Sequence, residues 1–299
     1  MSATKTTLGR LGYGPDARVA ILHADDNGLS PEAVEATDAS LARGAVTSTS
    51  VMVPCPAYGD AVAWRAAHPD ADVGVHVTLT SEWPAYRWGP VAGAENVPSL
   101  VDADGFLWPG NEDVARNASA EDASREIRAQ VGRAIDDGLA PTHIDTHMGA
   151  VFCRTDIATA YLDAAKHFGL PAATIEPDDR ILAHYREAGH AIDEAMVAAF
   201  AAHDGPKLTL LTGMPVADDH DAFVAKAAAF VSQLPPGLHQ LYVHPSRTTE
   251  NVKRAISSWQ QRAWEETLFA EPAVVKAMDD AGVVRTTWRD VVARFRANG

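Results

Sequence analysis

Arg18-Val19-Ala20-Ile21-Leu22-His23-Ala24-Asp25-Asp26-Asn27-Gly28 decides the reading of this chain. The run 19–22 is apolar without alternation, the pattern of a strand covered on both faces, and such strands are typically parallel. It ends in two adjacent carboxylates and an Asn-Gly turn. A helix is expected directly afterwards, over 30–43. Ser30 can cap its N-terminus, Pro31 fits the first helical position, and Glu32 faces the positive end of the helix dipole. Gly44 then serves as a stop signal. Strand, polar turn and helix thus follow one another in the order of a β/α unit.

Working outward, the unit recurs. Short apolar runs lie at 48–53, 73–79, 143–146, 172–175, 208–211, 240–244 and 283–287. Helical stretches are expected at 57–67, 121–137, 156–168, 221–234 and 272–281, with Gly138 and Gly169 closing two of them. About eight strands alternating with helices indicate an α/β fold, a single-domain TIM-like parallel β/α barrel, intact or distorted. An open doubly wound sheet is the alternative. No glycine-rich phosphate loop opens a helix after a strand, so nucleotide binding has no support. The organisation expected is one domain over 1–299, with a polar N-terminal extension over 1–18. The stretch 81–117, rich in Pro, Gly and Trp, reads as a long active-site loop.

The composition narrows the function classes. With 25 Lys and Arg against 40 Asp and Glu, the net charge of the 299 residues is −15. Such a field repels nucleic acid and anionic membrane surfaces, so neither is an expected partner. The two cysteines, Cys55 and Cys153, cannot form a Cys-rich zinc site or a disulfide framework. No apolar signal-peptide core opens the chain, and no run approaches the roughly 20 apolar residues of a membrane span, so a cytoplasmic setting is expected. The sequence leaves a homo-oligomer open.

The chemistry-bearing residues stand at downstream strand ends, the face that carries active sites in β/α barrels. The first group is His23, Asp25 and Asp26. The second is His76: alternation places Val73, Val75 and Val77 on one strand face and Gly74, His76 and Thr78 on the other. The third is Thr142-His143-Ile144-Asp145-Thr146-His147, where His143, Asp145 and His147 share a face. The fourth is His244, followed by Pro245. An Asp with two His residues makes a mixed N/O set suited to Zn²⁺ or another divalent ion. The remaining Asp and His would supply general base and acid, a constellation for metal-assisted hydrolysis.

These motifs, taken in order, are recognisable. His23-Ala24-Asp25-Asp26-Asn27-Gly28-Leu29-Ser30, Gly44-Ala45-Val46-Thr47-Ser48-Thr49-Ser50, the 72–80 segment, Val97-Pro98-Ser99-Leu100, the 141–147 segment and Val243-His244-Pro245 together resemble the YdjC-like family of carbohydrate deacetylases. That family includes enzymes acting on chitooligosaccharides and on hopanoid-linked sugars. The resemblance runs from about Val19 to Trp288. It implies a distorted barrel and one divalent metal ion, Zn or Mg, held by Asp26, His76 and His147. It also implies Asp25 as catalytic base and His244 as general acid in removing an acetyl group from an N-acetylated oligosaccharide or glycolipid. His23, His143 and Asp145 would then support the ligands from behind. The chain departs from the family pattern at Asn27, where an aromatic residue is usual, and at Met148-Gly149-Ala150-Val151, where a denser histidine cluster is usual.

Trp83, Trp88 and Trp108 either stack on sugar faces or pin the long loop to the barrel. Arg247 either meets substrate, orients Asp25 or forms a surface ion pair. Cys55 reads as a pocket wall, an adventitious ligand or a buried inert thiol. The alternatives to a deacetylase are another metal-dependent hydrolase on the same barrel, an amidohydrolase or phosphodiesterase, and a non-catalytic carbohydrate-binding or regulatory protein.

Overall fold

The computed structural model describes residues 6–187 and 191–298. His190 and the first five residues of the expected N-terminal extension lie outside them. Among the described residues, seven strands form one parallel sheet: β1 (Arg18–Asn27), β2 (Ser48–Val51), β3 (Val73–Val77), β4 (Ile144–Thr146), β5 (Leu210–Gly213), β6 (Gly237–Val243) and β7 (Val283–Thr286). The order across the sheet is β4-β3-β2-β1-β6-β5, with β7 also paired to β1. The sheet is curled, helices surround it, and the chain forms a single domain.

The expected eighth strand at 172–175 is a bridging segment. Ala172 bridges Ile144 at the end of β4, and Ile175 bridges Leu208 just before β5. These contacts join the two ends of the curl. The distortion of the barrel has a second origin in β1, whose edge is shared: β7 pairs with residues 18–21 and β2 with residues 23–27, while β6 runs along the opposite edge.

Local signals act as the chemistry of their residues requires. Helix Pro31–Ala42 starts with Ser30 Oγ accepting from the Ala33 amide, and Pro31 opens it. Helix Thr155–Phe168 ends on Gly169 in the left-handed conformation. Short helices at Asp179–Glu187 and Glu194–Ala202 go beyond the expectation from sequence.

Side-chain alternation along β1 organises the interior. Ala20, Leu22 and Ala24 pack outward against the helices, with Phe223, Leu241, Val274 and Met278. Val19 and Ile21 join Leu208, Leu238 and Trp288 in an apolar floor, which the N-terminal helix Thr7–Arg10 and the C-terminal helix Trp288–Ala297 close from below. His23 and Asp25 continue the inward face upward from that floor. The same pleat turns Val73, Val75 and Val77 into the core and leaves Gly74 and His76 inside the curl.

The 81–117 stretch is irregular over most of its backbone but well packed. Leu100, Leu107 and Val114 are fully buried, and helix Asn111–Asn117 closes the segment. The buried Glu126 carboxylate accepts from the Val91 and Ala92 amides at 2.9 and 2.8 Å. Among the described residues, no helix is long and apolar enough to cross a membrane.

Candidate metal centre and active site

The site begins with an irregularity in β1. Ala24 pairs with Thr49 and Asn27 with Val51, so β1 carries one extra residue at Asp25-Asp26. Asp26 takes a left-handed φ of 61°. Strict alternation would turn one of two neighbouring aspartates outward; a bulge with a left-handed residue re-aims the side chain, a device common beside active sites. Asp25 and Asp26 both line the same cavity. Gly28, with φ +85°, completes the turn where a Cβ would press on Val51 and Ala61.

Asp26, fully buried, is the hub. Its Oδ1 lies 3.0 Å from His147 Nδ1 and 3.4 Å from His76 Nε2. Its Oδ2 accepts from Arg262 Nη2 at 2.8 Å. Burial opposes its ionisation, but the charges of Arg262 and His147 outweigh this and hold the carboxyl well below its usual range. The three donors Asp26, His76 and His147 are close enough to serve one ion. Donor atoms bound to a single zinc-like ion in tetrahedral array sit roughly 3.3 Å apart. The donor chemistry and the spacing both fit a divalent metal.

Each histidine of this set is held from behind by a carboxylate. Asp145 Oδ1 accepts from His76 Nδ1 at 2.8 Å, which leaves Nε2 facing Asp26. Both oxygens of Glu82 lie 3.1 Å from His147 Nε2, which leaves Nδ1 facing Asp26. Burial works against protonation of these imidazoles, yet the neighbouring charges prevail. Asp145 and Asp25 raise His76 well above its ordinary value, and Glu82 and Asp26 raise His147 to about 9. The surrounding carboxylates thus bias both rings toward their protonated forms.

Asp25 accepts from His23 Nδ1 at 2.7 Å and lies 3.9 Å from His76 Nε2. His244 lines the same cavity; its amide donates to Glu265 at 2.7 Å, and its Nδ1 is 3.6 Å from that carboxylate. Burial lowers the affinity of His244 for a proton, but Glu265 overrides this and raises the pKa, as suits a proton donor.

Below lies a second histidine cluster. His23 Nε2 is 3.1 Å from His143 Nε2, and the His143 ring stacks on Trp288 at 4.9 Å. Thr142 Oγ1 contacts His143 Nδ1 at 2.9 Å. A Cβ on Gly74 would come within 2.4 Å of His143 Nε2, so only glycine leaves room for that ring. Ser50 and Gln240 donate to Asp145 Oδ2, and Trp288 Nε1 donates to Gln240, at 2.8–3.1 Å.

The cavity, about 340 Å³, has polar residues at one end and an apolar wall from Phe152, Ile175, Ile192, Phe200 and Leu211. Of the three loop tryptophans, only Trp83 lines it. Trp88 is buried, with Nε1 donating to the Thr80 carbonyl, and Trp108 Nε1 donates to the Ser99 carbonyl. The stacking expectation for these two is corrected: they pin the 81–117 segment. Arg247 is likewise away from the cavity, in an ion pair with Glu266. Cys55 is buried against Met52, and burial pushes its thiol well up. Asn27 is fully buried and does not line the cavity, whereas Met148 and Gly149 do. Glu82 and Arg262 are cavity residues that reading the sequence missed. Glu82 stands beside Trp83 in an irregular stretch, and Arg262 meets its partner Asp26 across 236 positions of chain.

The chain resembles known proteins. A family model described as YdjC-like protein matches residues 19–280. A carbohydrate deacetylase of Thermus thermophilus is 31% identical over 95% of this chain and 97% of its own length. A carbohydrate deacetylase of Brevibacillus brevis is 35% identical over 42% of this chain and 48% of its own. Among solved structures, a protein from Enterococcus faecalis V583, provisionally described as a cellobiose-phosphate cleavage protein, superposes with a TM-score of 0.75. It covers 92% of this chain and 99% of its own, at 19% identity, and shows the same fold.

Proposed function

The chain belongs to the YdjC-like family, and from that premise we propose that it is a metal-dependent carbohydrate deacetylase that hydrolyses the acetamide of an N-acetylated sugar. The observation that carries the reading is the convergence of Asp25, Asp26, His147 and His244 on one cavity, with the buried His76 within ligand distance of Asp26 and His147. The long relative from Thermus thermophilus, named as a carbohydrate deacetylase, supports it.

Asp26, His76 and His147 would hold the metal ion, which when bound supplies Lewis acidity toward a carbonyl oxygen and toward water. Two imidazoles and one carboxylate favour zinc or a similar transition ion over magnesium, which prefers oxygen donors. Asp25, kept in orientation by His23, takes a proton from the attacking water. His244, supported by Glu265, gives a proton to the departing amine. Trp83 offers an aromatic face to the sugar. The apolar wall suits a substrate with an apolar portion, which favours a glycolipid over a free hydrophilic oligosaccharide.

The test is direct. Purified protein is assayed for bound metal and for acetate release from acetylated mono- and oligosaccharides and alkyl glycosides. Metal at one equivalent with acetate release is expected. Protein that holds metal but cleaves only other amides or phosphodiesters would replace the substrate assignment, and protein with neither metal nor turnover would end the enzymatic reading.

A further inference from the structure

We propose that Arg262 binds the acyl oxygen of the substrate through Nη1, the donor that its ion pair leaves free. The inference deepens the deacetylase reading and rests on it.

The Arg262 side chain is only 8% exposed. Nη2 donates to Asp26 Oδ2 at 2.8 Å, Nε donates to Ser258 Oγ at 3.3 Å, and the guanidinium carbon stands 5.1 Å from the centre of the Trp83 ring. The Arg262 carbonyl accepts from the Ser246 amide, so backbone and side chain are both fixed. Nη1 is buried and has no hydrogen-bond partner among the described residues. A buried donor without an acceptor costs about 1–3 kcal/mol, more when charged, so its presence calls for an explanation.

The surroundings supply one. Arg262 lines the cavity together with Asp25, Asp26, His147 and His244. The two Nη groups lie side by side in one rigid plane. Nη2 is anchored on the carboxylate whose other oxygen faces both histidines. An acceptor on Nη1 therefore sits next to the reacting groups. A fixed, desolvated donor of positive charge contributes most where negative charge grows during reaction. As the water oxygen bonds to the acyl carbon, a water proton passes to Asp25 and the C=O π pair moves onto the acyl oxygen, which accepts a hydrogen bond from Nη1. When that pair returns, the C–N bond breaks, its electrons go to nitrogen, and nitrogen takes a proton from His244. The products are acetate and the amino sugar.

The experiment compares metal-loaded wild type with Arg262→Lys, which keeps a cation for Asp26 and removes the planar fork. Metal affinity should fall by no more than the roughly 10–100-fold expected for a group that orients a ligand, so turnover is measured at saturating metal. Losing one such donor should lower kcat about 10²–10³-fold with little change in KM. Calorimetric binding of methylphosphonate, a tetrahedral anion shaped like hydrated acetyl, should weaken at least tenfold. An unchanged kcat would overturn the proposal, as would a loss fully recovered by excess metal, which would confine Arg262 to holding Asp26. If Arg262→Lys does not fold, wild-type crystals soaked in methylphosphonate decide: a phosphonate oxygen on Nη1 supports the site, and an anion bound elsewhere overturns it. A wild type that releases no acetate from any sugar, while methylphosphonate still depends on Arg262, would remove the deacetylase reading and support the anion site.

Discussion

Two clusters of nearly identical composition lie one above the other inside this curl. The lower holds His23, His143 and Asp145; the upper holds Asp26, His76 and His147. In both, the donor atoms lie close enough together for a single ion. Asp26 and His147 of the upper cluster and only Asp145 of the lower line the cavity, and the partners of the ring nitrogens differ. In the lower cluster, His143 has Thr142 on one nitrogen and His23 on the other, and Trp288 covers its face. Burial drives its pKa well below the ordinary value, so it is neutral. In the upper cluster, Asp26 and His147 open onto the cavity, and carboxylates behind both histidines turn the other nitrogens toward Asp26. The residue types permit a metal site in both; the shell around them separates a ligand set from a scaffold.

The largest effect that would sharpen this contrast belongs to the group above both. Asp25→Asn should lower kcat by about 10²–10⁴-fold, the range for a lost general base, while metal content stays at the wild-type level. Next comes the direct comparison. His147→Ala should abolish stoichiometric metal binding, whereas His143→Ala should keep it and destabilise the fold by about 1–3 kcal/mol, because His23 loses a buried partner. Metal analysis and chemical denaturation read both. Metal lost in His143→Ala and kept in His147→Ala would reverse the assignment.

A smaller effect is expected one layer out. Asp145→Asn and Glu82→Gln should each weaken metal binding about 10–100-fold, measured by competition with a chelator, since each orients one ligand. Unchanged affinity in both would mean that packing alone sets the ring orientation.

The smallest expected effect is in pH. The folded pKa of His147 is raised to about 9 from an ordinary 6.5. The native state then holds more protons than the unfolded chain between those values, so this contribution is complete below pH 6.5 and fades as pH climbs through 9. His143 has the opposite sign: its depressed pKa makes acid below pH 6.5 destabilising. The melting temperature of metal-free protein should therefore drop from neutral to alkaline pH, and metal should flatten that slope. A flat metal-free profile would contradict the protonated upper cluster.

Much of this was legible in the residues. The alternation of Val73, Val75 and Val77 against Gly74 and His76 requires only a pleat of period two, and the structure keeps it. Ser30-Pro31 signals a helix start through groups that act within one turn. What escaped reading depends on distant partners. The bulge at Asp25-Asp26 is visible only against β2. Trp88 and Trp108 look like sugar platforms until the carbonyls of Thr80 and Ser99 take their indole protons. The 81–117 stretch lacks periodicity because its order comes from outside, in part from the Glu126 carboxylate. Arg262 sits in a helix with two tryptophans and resembles an ordinary surface cation; only the fold sets it against Asp26.

The shared edge of β1 has a consequence for how the molecule is made. Arg18 pairs with Gly237 and with Val283, so the first strand finds two of its three neighbours near the far end of the chain. Contacts of such long sequence separation form slowly and late. During synthesis, Asp25 and Asp26 emerge early but gain their full surroundings only once nearly all of the barrel is available. The cavity that these aspartates line is thus among the last parts to be assembled.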